Sequence, residues 1–143
     1  MYVKHVENDK ELQDAFQVRK EVFVSEQQVP EELELDEYDQ TAAHFVLYAE
    51  DQPAGAGRFR MKDGKGKVER VCVKRALRGQ HAGILLMTEI ERHAKNTGIS
   101  SLILNAQTHA LGFYKKLGYH VISDEFMDAG IPHYTMQKDL RTD

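Results

Sequence analysis

The sequence predicts an α/β domain: a mixed, mostly antiparallel sheet of about six to seven strands, flanked by helices on both faces. Three observations predict it. Apolar residues recur at helical spacing over residues 12–23 and 84–94. Short β-rich runs lie between and after these stretches, each bounded by Asp, Asn, Gly or Pro. The resulting order is β-α-β-β-β-α-β-α-β-β, in which strands joined by tight turns pair antiparallel. The helix after residues 67–73 forces a parallel crossover to the next strand.

Each element has a local cause. Tyr2 to Val6 reads as a short strand. Asn8 and Asp9 are N-cap candidates, and Leu12, Ala15, Phe16, Arg19, Val22 and Phe23 then form one helical stripe ending near Ser25. Residues 26–41 are acidic and include Pro30, which predicts a long loop with room for a helical turn. Ala43 to Glu50 and Ala54 to Met61 form a hairpin around Asp51-Gln52-Pro53. After the Asp63-Gly64-Lys65-Gly66 turn, Lys67 to Val73 is a third β run. A loop over residues 77–83 opens a helix to Asn96, with Ile84, Met87, Ile90 and Ala94 inward and Gly98 at its end. Ser101 to Asn105 is a strand, and Thr108 to Leu117 a helix ended by Gly118. Tyr119 to Ile122 and His133 to Gln137 are strands either side of the Asp128-Ala129-Gly130 turn.

The 143 residues suit a single domain spanning 1–143. No apolar run approaches the ~20 residues of a membrane span. The single cysteine, Cys72, excludes a disulfide framework and a cysteine-rich metal site. A cytoplasmic protein without metal or membrane partner is expected. The net charge of −4 conceals a segregation. Residues 21–57 hold ten acids and no Lys or Arg, whereas residues 58–83 hold nine basic residues and two acids. A nucleic-acid binder is usually basic throughout, so nucleic acid is not an expected partner. The split suits an enzyme that joins a cationic substrate to a phosphate-bearing cofactor.

Arg78-Gly79-Gln80-His81-Ala82-Gly83 stands between a strand and a helix. Small residues there let backbone approach a ligand, and the free N–H groups of a helix start make an anion site. The glycine spacing fits neither a Rossmann fingerprint nor a P-loop. His-Glu-x-x-His, Cys-x-x-Cys and Gly-x-Ser-x-Gly are all absent, so zinc hydrolysis and serine esterase chemistry have no support. Flanked by Val71 and Val73, Cys72 reads as a buried strand residue rather than a nucleophile.

Val71-Cys72-Val73, followed by Arg78-Gly79-Gln80-x-x-Gly83, resembles motif A of the GCN5-related N-acetyltransferases (GNAT). Ala110-Leu111-Gly112-Phe113-Tyr114-Lys115-Lys116-Leu117-Gly118-Tyr119 resembles their motif B, and the element order matches across nearly the whole chain. Arg19-x-x-Val22-Phe23-x-x-Glu26-Gln27 and Gly130-Ile131-Pro132-His133 are similar to the small bacterial ElaA/YjcF-like branch. His81 stands where the family's central loop glycine usually does. The resemblance implies direct acetyl transfer from acetyl-coenzyme A to a primary amine, with no metal, in a fold that often dimerises. It implies that Val71, Cys72, Val73, the 78–83 loop, Asn105, Phe113 and Lys116 hold the cofactor, and that Tyr114 protonates the departing thiolate.

An amine acceptor arrives protonated and must lose a proton. Glu69, on the strand feeding the cofactor loop, is the leading base, with His44 and His133 as others. Glu34, Asp36, Glu37 and Asp39, with His133, are the substrate-side candidates. Two other readings stand beside this one. Arg19-x-x-Val22-Phe23-x-x-Glu26 with residues 34–39 also looks like the start of an acyl-homoserine-lactone synthase, which uses S-adenosylmethionine. The third is a non-catalytic sensor of acyl-coenzyme A.

Overall fold

The computed structural model describes residues 1–140. β1 (Tyr2–His5) leads to α1 (Asp9–Arg19), whose N-cap is Asn8: its side chain accepts the Glu11 amide at 2.9 Å. The helix does not stop at Arg19. It continues as a π-helix over Lys20–Glu26, where the Gln27 amide reaches back to the Val22 carbonyl. The acidic stretch is more ordered than its composition suggests. It holds α2 (Glu31–Glu34) and a 3₁₀ turn (Glu37–Gln40) capped by Asp36.

β2 (Ala43–Ala49), β3 (Gln52–Lys62) and β4 (Lys65–Val73) form an antiparallel meander. α3 (Ala82–Asn96) crosses over to β5 (Ser101–Gln107), which lies parallel to β4. Gly98, at φ +84°, ends α3: its amide bonds to Lys95 and that of Ile99 to Ala94, the paired bonds of a Schellman stop. A 3₁₀ turn at Thr108–Ala110 and α4 (Leu111–Lys116) follow, then β6 (His120–Val121), β7 (Phe126–Asp128) and β8 (Ile131–Asp139).

The sheet has eight strands in the order β1-β2-β3-β4-β5-β8-β6, with β7 also on β8. The extra strand, β7, is three residues long and too short to show a period. Two cores sandwich the sheet. Leu86, Met87, Ile90 and Ala94 of α3 pack with Phe45, Leu47, Leu102 and Met136 on one face. On the other, Ala15, Val18 and Val22 pack with Val46, Tyr48, Ala56 and Cys72.

One irregularity positions the site. β3 and β4 lose register between Ala56/Cys72 and Arg58/Glu69, so two residues of β4, Arg70 and Val71, face one of β3. Arg70 takes φ +58° at this bulge. β4 and β5 pair only from Gly66–Val68 to Leu102–Leu104. Beyond Val68 the two strands separate.

Candidate active site

The separation of β4 from β5 opens a cleft of about 970 Å³. Its walls come from the bulged half of β4, from the C-terminal half of β5, from Phe23, Glu26 and Gln27 at the end of the π-helix, and from Ile131 and His133 of β8. Tyr114 lines it from α4. Past Val68 no β5 partner continues the ladder, so the β5-facing backbone of residues 69–73 borders open space.

Ion pairs underlie the side of the cleft next to the acidic segment. Arg19 and Arg58 are each 1% exposed. Arg19 donates to the Glu34 carboxylate at 3.1 Å and to Asp39 at 2.7 Å. Arg58 donates to Asp36 at 2.7 Å, to Asp39 at 2.9 Å and to Glu69 at 2.8 Å. Arg60 grips Glu69 through two nitrogens and stacks over the Tyr38 ring at 3.8 Å. Arg70 bonds Glu34 at 3.0 Å and Asp36 at 3.3 Å. Burial alone would raise the Glu69 carboxyl, yet the Arg60 hydrogen bonds and the Arg58 charge outweigh it and hold it down to about 2. Burial likewise opposes ionisation of Asp39, and its bonds from Arg19 win, so its carboxyl stays well below the usual range.

At the other end of the cleft, the loop before α3 carries Gly79 at φ +81° and His81 at φ +65°, ψ 15°. His81 is the N-cap of α3 and makes no side-chain capping bond. The first amides of a 15-residue helix are therefore left for an incoming anion. Arg78 reaches back from this loop, donating to the Val73 carbonyl at 2.9 Å and bidentately to Glu26 at 2.6 and 2.7 Å.

Comparison with known proteins agrees with this geometry. The acetyltransferase (GNAT) domain model matches residues 6–140. The chain belongs to the GNAT acetyltransferase family. The uncharacterized N-acetyltransferase YjcF of Bacillus subtilis (strain 168) is 53% identical over 133 residues, 92% of this chain and 95% of that protein. The crystal structure of Escherichia coli ElaA superposes with TM-score 0.88 at 25% identity, covering 96% of this chain and 99% of the other. An acyl-CoA N-acyltransferase from Pseudomonas aeruginosa superposes with TM-score 0.85 at 28% identity, covering 95% and 96%. The protein is thus an N-acetyltransferase by family.

Within that fold the expected residues divide. Val71, Cys72, Val73, Arg78 and Asn105 line the cleft, as do Tyr114, Glu69, Glu34 and His133. Asn105 accepts a hydrogen bond from Thr135 at 2.8 Å. Gly79, Gln80, His81, Ala82 and Gly83 form the helix entrance outside that lining, and Lys116 is exposed on α4. Gly83 also has a packing reason to be small: a Cβ there would meet the Phe113 ring at 3.0 Å. Phe113 accordingly packs on the start of α3 and does not line the cleft.

The acidic loop departs furthest from expectation. Glu34, Asp36 and Asp39 are each engaged by arginines. The opposite charge runs of the sequence find each other. Only Glu37, of the four substrate-side acids, is exposed with no ion pair among the described residues. Glu69 is similarly committed to Arg58, Arg60 and Lys67, which makes it a weak proton acceptor. His44 is buried behind the network, its Nε2 donating to the Asp39 carbonyl at 2.9 Å, and burial holds its ring neutral.

The sequence reasoning gave no site role to Lys67 or Gln107, and quoted Gln27 only as part of a pattern. Lys67 stands two residues before Glu69 on one strand, so alternation puts both on one face. Gln107 donates to Gln27 at 2.8 Å, tying β5 to the end of the π-helix.

Proposed function

We propose that the protein transfers an acetyl group from acetyl-coenzyme A to a primary amine. The observation that carries this is the splayed β4–β5 cleft with an uncapped helix entrance at one end and a buried tyrosine inside. Backbone groups of residues 69–73 lie along one wall, in position to pair with an extended ligand as an added strand. The Ala82–Gly83 amides and the neighbouring basic residues suit its phosphates. Acetyl-coenzyme A supplies the acyl group already activated as a thioester.

The chain's own groups then manage protons and position. Burial, with Cys72 nearby, pushes the Tyr114 hydroxyl above the usual phenol range. It therefore stays protonated at neutral pH and can donate to the leaving sulfur. On the acceptor side we place His133 before Glu69 as the group that takes the amine's proton, directly or through water. The His133 Nδ1 donates to the Ile131 carbonyl at 2.7 Å, which leaves Nε2 as the ring's acceptor in the cleft wall. Glu69 instead fixes Arg58 and Arg60.

The test pairs calorimetry with turnover. Acetyl-coenzyme A should bind, more weakly as salt rises and more weakly still without its phosphates, and an amine panel should release thiol. Equal affinity for S-adenosylmethionine would favour a lactone synthase, and binding without turnover a sensor.

A further inference from the structure

The chemical class of the acceptor is written on the open face of the sheet. Lys67 and Glu69 of β4, Asn105 and Gln107 of β5, and His133 and Thr135 of β8 share that face by alternation and register. α1 packs on β2, β3 and β4 and leaves this part of the sheet beside the cleft. The carboxylates along the cleft are already engaged: Glu26 with Arg78, Glu34 with Arg19 and Arg70, and Glu69 with two guanidiniums. Asp128 alone among the lining acids is exposed without an ion pair among the described residues, and it stands in solvent at the β7 end.

Lys67 is the contrasting group. Its side chain is 13% exposed and lines the cleft. Its only ionic contact among the described residues is Glu69 at 3.4 Å. The Glu69 oxygens meanwhile accept four hydrogen bonds from Arg58 and Arg60, at 2.8 to 3.2 Å. An ammonium has three donors to place. Burial, above all, depresses the Lys67 ammonium, with the like charges of Lys62 and Arg60 adding to it against the pull of Glu69.

We infer that the acceptor is an amine that also bears a carboxylate, and that Lys67 receives that carboxylate on the acceptor wall of the cleft. This rests on the acyl-transfer reading. A single ammonium matches one carboxylate, whereas a purely cationic acceptor such as a polyamine would meet Lys67 as a like charge. The lysine thus sets specificity and touches no reacting bond.

The experiment compares matched acceptors with acetyl-coenzyme A, reading thiol release and acceptor mass. Amino acids and a series of ω-amino carboxylates are each run against their amides, with aminoalkyl phosphates and polyamines as further arms. The enzymes are wild type, Lys67→Met and Lys67→Arg, each checked by thermal melt and by acetyl-coenzyme A affinity. For the wild type, a carboxylate should raise kcat/KM about 10- to 100-fold over its amide, the range of a charged hydrogen bond. Lys67→Met should erase that ratio through KM with cofactor affinity unchanged, and Lys67→Arg should keep part of it. Amides or polyamines turned over as well as carboxylates, a preference for phosphates, or a ratio that survives in Lys67→Met would each overturn the inference and leave acyl transfer standing. No turnover of any amine by a protein that binds acetyl-coenzyme A would instead overturn the acyl-transfer reading, and the inference with it.

Discussion

Tyr114 and His81 are single residues whose chemistry can be tested without disturbing their surroundings. Removing only the Tyr114 hydroxyl should lower kcat by about 10²-fold, the low end for general acid catalysis, because a thiolate leaves partly unaided. Cofactor affinity and melting temperature should stay near wild type, since the ring still packs. Unchanged kcat in Tyr114→Phe, with chemistry rate-limiting, would return Tyr114 to the core. His81 occupies the left-handed region, where a Cβ costs energy. His81→Gly should therefore stabilise the protein by about 1 kcal/mol in chemical denaturation and preserve cofactor binding. At this scale the sequence was readable wherever a residue type implied its neighbours. Tyr114 was legible from motif B and the 78–83 loop from motif A. The fate of Glu69 was not, because a carboxylate on a strand is a base or an anchor depending on arginines that come from β3 and are placed by the fold.

Two elements carry devices that periodicity cannot show. The π-helix keeps the apolar stripe of α1 running, so its sequence looks like plain helix, yet its geometry delivers Glu26 onto Arg78 and Gln27 onto Gln107. The Arg19…Glu26-Gln27 pattern signalled that these residues matter without saying to what they bond. If Arg78 contacts the cofactor phosphates, its pairing with Glu26 competes with binding. Glu26→Gln should then tighten coenzyme A several-fold, about 0.5–1 kcal/mol for a half-exposed pair, and Arg78→Gln should weaken it. Calorimetry with both variants decides this; equal affinities would place Arg78 outside the phosphate site. At the start of α3, Gly83→Val should lower the melting temperature by displacing Phe113. The β4 bulge was harder to read: Glu69-Arg70 interrupts the alternation of Val68 to Val73, but only the Arg70 backbone and the register shift show that the break is a bulge.

Across the whole molecule, the segregated charges are an assembly instruction. The acidic segment folds back onto β3 and β4, where Arg19, Arg58 and Arg70 hold it beside the cleft. Sequence alone showed the two runs but not that each consumes the other. Glu69 and Asp39 have carboxyl groups depressed in the folded state, so their stabilisation is fully present above the ordinary carboxylate range. It should fade as pH falls from about 4.5 toward 2, the Glu69 value, with stability measured by denaturant midpoint. His44, held neutral by burial and by Arg19 and Arg58, adds a loss that begins as pH falls through the free-histidine range. Arg58→Met would take one buried partner from each of Asp36, Asp39 and Glu69, leaving them Arg70, Arg19 and Arg60, and should cost about 3–5 kcal/mol.

The proposed acetyl transfer can be measured directly. Purified protein is incubated with acetyl-coenzyme A and the matched acceptor panel, and each reaction is followed by thiol release and by mass spectrometry of the acceptor. The account predicts equimolar free thiol and acceptor heavier by one acetyl group, abolished when the acceptor is omitted. Acetyl-coenzyme A bound at the cleft with every acceptor unmodified would contradict it.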